Sequence, residues 1–187
     1  MIKIGITGSL ASGKTTVAKM IAGSKYPLFD ADKEVKKIYK KNFFKKMIHK
    51  KFELKNKKNL KKKIKEKIFK NKNSLKKLEK IIHPLVRKEL KKFVKKNIRK
   101  KLLVFEIPLL IESKLMRNYD KIIFVSSKKT LRMKRHLKAG KNIKIFNLLD
   151  KRQLTPAKKI KFCNHVINNN GSLKSLKKNV NIVINKI

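Results

Sequence analysis

An α/β fold with a parallel central sheet covered on both faces is predicted by three observations. Short runs rich in Ile, Leu and Val recur at residues 1–7, 101–107 and 120–125. They are short and dominated by aliphatic residues, as strands buried on both faces are. Between them lie segments whose apolar residues recur every three or four positions, the spacing of amphipathic helices. Joining the first run to the first helical segment is Gly8-Ser9-Leu10-Ala11-Ser12-Gly13-Lys14-Thr15, a full match to the phosphate-binding pattern G-x-x-x-x-G-K-[ST]. Strands alternating with helices imply parallel pairing, because each return to the same sheet edge needs a crossover.

The elements follow in order. Residues 1–7 (MIKIGIT) suit a buried strand, and residues 16–22, apolar at 17, 18, 20 and 21, suit one face of a helix. Residues 26–29 (YPLF) read as a second short strand ending at Asp30-Ala31-Asp32. From Lys33 to about Lys100 the pattern is helical, with Val35, Ile38 and Tyr39, then Leu60, Ile64 and Ile68, then Leu75, Leu78, Ile81 and Ile82 on the apolar stripes. Asn and Lys clusters at 55–59 and 70–73 read as turns. Pro84 is placed to open a helix, with His83 as its extended pre-proline neighbour. Strands at 101–107 and 120–125 follow, then helical pieces at 128–138, 144–152 and 157–162. A last short strand covers 165–167, residues 168–171 turn, and Ser172 caps a C-terminal helix.

The glycine loop carries the sharpest chemical statement. Its backbone can wrap a polyphosphate, and its N–H groups with the helix N-terminus supply partial positive charge. Lys14 is expected at the β/γ-phosphates, and the Thr15 hydroxyl is a ligand for Mg²⁺. The loop therefore implies use of ATP or GTP. Carboxylates stand at two predicted strand ends, Asp30 with Asp32 and, later, Glu106, where open α/β sheets hold their ligands. A hydroxyl acceptor needs a carboxylate to take its proton. The bland reading of Asp30 is a helix cap, and of Asp32 a favourable first-turn charge. His83 and Arg87 lie one helical turn apart, and Arg132 and Arg135 share the helix after the fourth strand. A cationic segment there could close over a nucleotide, or be no more than a solvated face.

Composition bounds the rest. At 187 residues the chain is one domain by length, with room for an inserted subdomain. No apolar stretch approaches a membrane span, and a strand leading straight into the loop leaves no room for a cleaved signal. Cys163 is the single cysteine, which suits a reducing cytoplasm. The net charge of +44 raises nucleic-acid binding as an alternative. Against it, 49 of the 55 basic residues are lysine, and Asn and Ile are abundant too. A/T-rich codons explain all three together, whereas a nucleic-acid reader favours Arg and stacking aromatics. Weak, non-specific binding is the expectation.

The combination of T-G-S-L-A-S-G-K-T-T (7–16), D-A-D (30–32), L-E-K-I-I-H-P-L-V-R (78–87), E-I-P-L-L-I-E-S (106–113), the Arg-bearing segment 131–138, Gln153 and V-I-N-N-N-G (166–171) resembles the dephospho-CoA kinase family over essentially the whole chain. The resemblance implies a three-layer P-loop NTPase fold like that of nucleoside monophosphate kinases. Its core would be about 1–39, 98–128 and 159–187, with a helical substrate-binding insertion at about 40–97 and a lid at about 129–158. It implies Mg²⁺-ATP as phosphate donor and the ribose 3′-hydroxyl of dephospho-CoA as acceptor. Asp32 then matches the base, supported by Asp30. Lys14 and Arg135 are the catalytic cations, with the loop residues Gly8 to Thr15 and Thr16 around the phosphates. His83 and Arg87 face the acceptor, and Asn169 lies near adenine. Glu106, grouped with Asp30, Asp32, His83 and Arg87 as substrate-binding, stands where Asp is common, a longer carboxylate that would also reach Mg²⁺ through water. The family's second lid arginine falls at Ala139, leaving Arg132 or Lys138 to substitute, and its acid before the late turn is Asn164 or His165 here. Another P-loop small-molecule or nucleotide kinase, or a nucleic-acid-binding ATPase, remains the alternative.

Overall fold

The computed structural model describes residues 1–54 and 60–187, so the turn expected at 55–59 lies outside the described residues. The chain divides into two compact units, one formed by Met1–Asp30 with Asn97–Ile187 and the other by Ala31–Lys96.

The first unit is built on five parallel strands: β1 (Ile2–Gly8), β2 (Leu28–Asp30), β3 (Leu102–Glu106), β4 (Lys121–Ser126) and β5 (His165–Asn168). Their order is β2-β3-β1-β4-β5, and every neighbouring pair is parallel. The aliphatic-rich runs form the central strands because both faces of the sheet are covered. On one face α1 (Lys14–Ala22) and α9 (Leu173–Ile184) bury Val17, Ala18, Ile21, Leu176, Val180 and Val183 against Ile4, Ile6, Val104, Ile123, Val125 and Ile167. Alternate residues Leu103, Phe105, Ile122 and Phe124 take the other face, all buried. There Tyr119 meets Phe105 edge-on at 5.3 Å. Gly5 makes that layer possible, since a Cβ on it would lie 2.7 Å from Leu110 and 3.0 Å from Tyr119.

Three shorter helices follow β4: α6 (Lys129–Lys138), α7 (Ile143–Lys151) and α8 (Pro156–Ile160). Asn142 and Thr155 cap α7 and α8 through their side-chain oxygens, and Ser172 caps α9 by accepting from Ser175 N–H, as its sequence position predicts. Buried Lys159 is held by Glu112 at 2.7 Å, and the same Glu112 Oε1 accepts from Leu154 N–H at 3.1 Å. This pair ties the loop leaving β3 to the start of α8.

The second unit is helical: α2 (Ala31–Ile38), α3 (Asn42–Phe52), α4 (Leu60–Lys70) and α5 (Lys72–Lys96). Its core joins Ile38, Phe44, Ile48, Phe52, Leu60, Ile64, Leu78 and Ile82, so the three- and four-residue spacings in the lysine-rich sequence do mark buried stripes. The 70–73 turn shrinks to Asn71, whose Oδ1 accepts from Asn73 N–H at 2.8 Å and so caps α5. One expectation is corrected. Pro84 does not open a helix and His83 is not extended, because both lie inside the 25-residue α5. The apolar stripe through Leu78, Ile82 and Val86 runs past the proline without a break in register. Its packing outweighs the lost hydrogen bond and ring crowding, a cost of about 3 kcal/mol in an isolated helix. Among the described residues, no helix is long and apolar enough to cross a membrane.

Candidate active site

Parallel strands end on one edge, and the register of this sheet collects the chemistry there. Asp30 pairs with Glu106 across β2 and β3, Ile6 pairs with Glu106 across β1 and β3, and Ser126 pairs with Asn168 across β4 and β5. The glycine loop leaves the end of β1 in the middle of that edge. Open parallel sheets bind ligands at this position.

The loop is held by its carbonyls. Lys14, only 8% exposed, donates from Nζ to Gly8 O at 3.3 Å and Ser9 O at 2.9 Å. Ser12 N–H also donates to Ser9 O, and Val17 N–H to Gly13 O. Arg132 Nη1 donates to Leu10 O at 3.2 Å. Asn169 Nδ2 donates to Ser12 O at 2.8 Å, and Arg135 Nη1 reaches the same oxygen at 3.5 Å. Carbonyls engaged outward leave N–H groups for an anion, as an anion-binding backbone nest requires. The first N–H groups of α1 lack intrahelical partners by construction.

Two positions need glycine. A Cβ on Gly8 would sit 2.5 Å from Val125 O, and Gly13 takes φ +95° while its missing Cβ makes room for the Asn169 amide. Ala11 adopts φ 58° without being glycine, a left-handed conformation that the surroundings must enforce.

Thr15 Oγ1 donates to Glu106 Oε1 at 2.7 Å. Glu106 is 3% exposed. A hydroxyl and a carboxylate thus converge beside the loop, both hard oxygen donors of the kind Mg²⁺ takes when it keeps waters and phosphates as its other ligands. Among the described residues no group of three or more His, Cys, Asp or Glu could cage a metal.

Arg135 and Asn169 form one network. Arg135 Nη1 donates to Ser127 Oγ at 3.0 Å and Nη2 to Asn169 O at 2.9 Å, while Ser127 Oγ donates to that same carbonyl at 3.1 Å. The sequence placed Arg135 on a lid and Asn169 near a base. The structure ties both to the loop carbonyl of Ser12. Of the cations considered for a second lid arginine, Arg132 is buried and paired with Asp150, whereas Lys138 is exposed. Asn164 serves the fold, its Oδ1 accepting from Ile122 N–H at 2.7 Å. Gln153 Oε1 accepts from Lys159 at 3.4 Å. Burial pushes the Cys163 thiol up to about 11, which keeps it protonated and chemically quiet.

The remaining site candidates lie in the helical unit. Asp32 is exposed in the first turn of α2, two residues past the end of β2. His83 is half-buried and Arg87 exposed, one turn apart on α5, so the unbroken helix puts them on one face. Sequence reasoning missed Asp150 and Ser127. Asp150 was findable, since an acid amid so many lysines needs a reason, but its partner lies 18 residues away on a different helix. Ser127 carried no signal at all.

A phosphate loop between β1 and α1, flanked by carboxylates at neighbouring strand ends and by arginines from α6, defines a P-loop kinase. The comparisons narrow the class. The family model described as dephospho-CoA kinase matches residues 2–175. A dephospho-CoA kinase from Fusobacterium nucleatum is 37% identical over 182 residues, covering 95% of this chain and 94% of its own length. Among solved structures, TT1252 from Thermus thermophilus superposes with a TM-score of 0.81 at 27% identity, covering 100% of this chain and 97% of its own. The dephospho-CoA kinase of Campylobacter jejuni gives 0.69 at 28% identity, covering 98% and 96%. The chain belongs to the dephospho-CoA kinase family, and it is an ATP-dependent kinase of the last step of coenzyme A synthesis.

Proposed function

We propose that this chain moves the ATP γ-phosphate to the ribose 3′-hydroxyl of dephospho-CoA with the residues that follow. The observation that carries the reading is the phosphate loop, whose carbonyls are taken up by Lys14, Arg132, Arg135 and Asn169, an arrangement that leaves amides for an anion. Gly8 to Thr16 wrap the phosphates. Lys14 follows the transferring group and gives up its bonds to Gly8 O and Ser9 O in favour of phosphate oxygens. Its charge then stabilises negative charge spread over the equatorial oxygens.

Asp32 takes the proton of the 3′-hydroxyl. The oxygen lone pair forms the new P–O bond as the bond to the bridging oxygen of ADP breaks, and Asp30 orients the acceptor beside it. His83 and Arg87 bind the acceptor, Arg87 through its permanent charge on phosphate. Arg135 completes the cationic side. Mg²⁺ belongs to this reading and would supply positive charge against the phosphates. Thr15 would hold it directly and Glu106 through water. A cytoplasmic location is part of the proposal, resting on the need for ATP and on the single cysteine.

Steady-state kinetics on two variants test the assignment. Asp32→Asn keeps the shape but loses the proton acceptor, so kcat should fall by about 100-fold or more while either KM changes little. Arg87→Ala should raise KM for dephospho-CoA by about tenfold and leave KM for ATP near its starting value. A normal kcat in Asp32→Asn removes the base assignment.

A further inference from the structure

Arg132 is a buried charged side chain to which the phosphoryl-transfer scheme gives no step. It is 5% exposed. Nη1 donates to Asp150 Oδ1 at 2.5 Å, and Nη2 lies 3.5 Å from Oδ2. The guanidinium carbon lies 5.6 Å from the ring centroid of Phe146, which is fully buried and meets His136 edge-on at 5.3 Å. Helices α6 and α7 together therefore fix this guanidinium. Swinging it toward a phosphate would leave Asp150, whose side chain is 18% exposed, as a largely buried charge without a partner. Arg132 is thus not a travelling lid cation.

Its remaining contact is the 3.2 Å bond from Nη1 to Leu10 O, at the crest of the phosphate loop. The chain holds no cis peptide, and in a planar trans peptide the C=O and the following N–H point in opposite directions. Fixing Leu10 O therefore fixes the Ala11 N–H, which points away from Arg132 and has no acceptor among the described residues. Ala11 is also the non-glycine residue of the loop held at φ 58°, so something must enforce that conformation. A cation on the adjoining carbonyl does so, and it also polarises the peptide, making the N–H a better donor to an anion.

We propose that Arg132, clasped by Asp150, is a positioning residue for polyphosphate binding: it locks the Leu10–Ala11 peptide so that the Ala11 N–H donates to the phosphates of ATP. The role rests on the reading of residues 8–15 as the ATP site, which wild-type turnover tests separately.

The experiment compares wild type, Arg132→Met and Asp150→Asn for kcat, both KM values and thermal unfolding. Methionine keeps the stem of Arg132 against Phe146 while removing the donor. In a folded Arg132→Met protein, KM for ATP should rise about tenfold, the loss of one oriented donor to a charged group. KM for dephospho-CoA should stay within about twofold. Asp150→Asn, which leaves Arg132 present but unclasped, should show the same selectivity at about threefold, and the double variant should be no worse than Arg132→Met alone. Unchanged KM for ATP overturns the proposal. So does an equal loss for both substrates that tracks a falling melting temperature, since that marks a purely structural pair. If Arg132→Met does not fold, Asp150→Asn decides: selective loss of ATP affinity supports the role, and its absence ends it.

Discussion

At the scale of single residues, the site depends on where backbone carbonyls go. Four side chains, three of them far along the sequence, donate to loop carbonyls, an arrangement that leaves amides for an anion. The octapeptide itself was plain in the sequence, because glycine at 8 and 13 answers a steric demand visible as spacing. Its supports were not. Asn169 and Arg135 were legible as residues of interest, yet nothing in the chain said that both meet Ser12 O. That contact depends on β5 ending beside β4, a tertiary fact. Glu106 illustrates the reverse case, since an acid ending an apolar strand already pointed to the edge where it is found. Glu106→Gln keeps the acceptor for Thr15 but removes the charge. Titrating activity with Mg²⁺ should show the half-saturating concentration raised roughly tenfold, the usual effect of altering a supporting metal-site group. Wild-type Mg²⁺ dependence in this variant would remove Glu106 from the metal side.

At the scale of elements, apolar spacing carried most of the reading. Five strands and the helices between them could be placed because continuous and three-to-four-residue patterns report different environments. The failures sit where local chemistry and tertiary packing disagree. Pro84 signals a helix start by its own propensity, but α5 runs through it because Leu78 and Ile82 on one side and Leu85 and Val86 on the other face the same core. Propensity is a weak prior beside a continuous buried stripe. The proline still carries its cost, because Lys80 lacks the N–H partner it would have four residues on. Pro84→Ala should therefore stabilise the protein by about 1–2 kcal/mol, after allowing for the stiffer unfolded chain that proline gives. Thermal unfolding would show this as a rise of roughly 2–8 °C for a chain of this size. A lower melting temperature would mean that the proline ring itself is packed to advantage.

At the scale of the whole molecule, the net charge of +44 is the dominant feature. Lysines cover helix faces in both units, and the ion pairs available to so few acids are mostly exposed ones such as Lys37–Glu34 and Lys92–Glu89, which contribute little each. Such a surface attracts polyanions without reading them. Any RNA binding should be insensitive to sequence and collapse between about 0.05 and 0.2 M salt. Added RNA should leave CoA formation unchanged or reduce it. RNA stimulation that persists at the higher salt would favour a nucleic-acid ATPase instead. The most direct measurement of the central claim supplies the purified chain with ATP, Mg²⁺ and dephospho-CoA, without nucleic acid, and follows CoA and ADP together. The account predicts one ADP formed per CoA, with both lost by several orders of magnitude in folded Lys14→Ala, as removal of a cation on the transferring phosphate implies. ADP release without CoA, or undiminished CoA formation by Lys14→Ala, would contradict it.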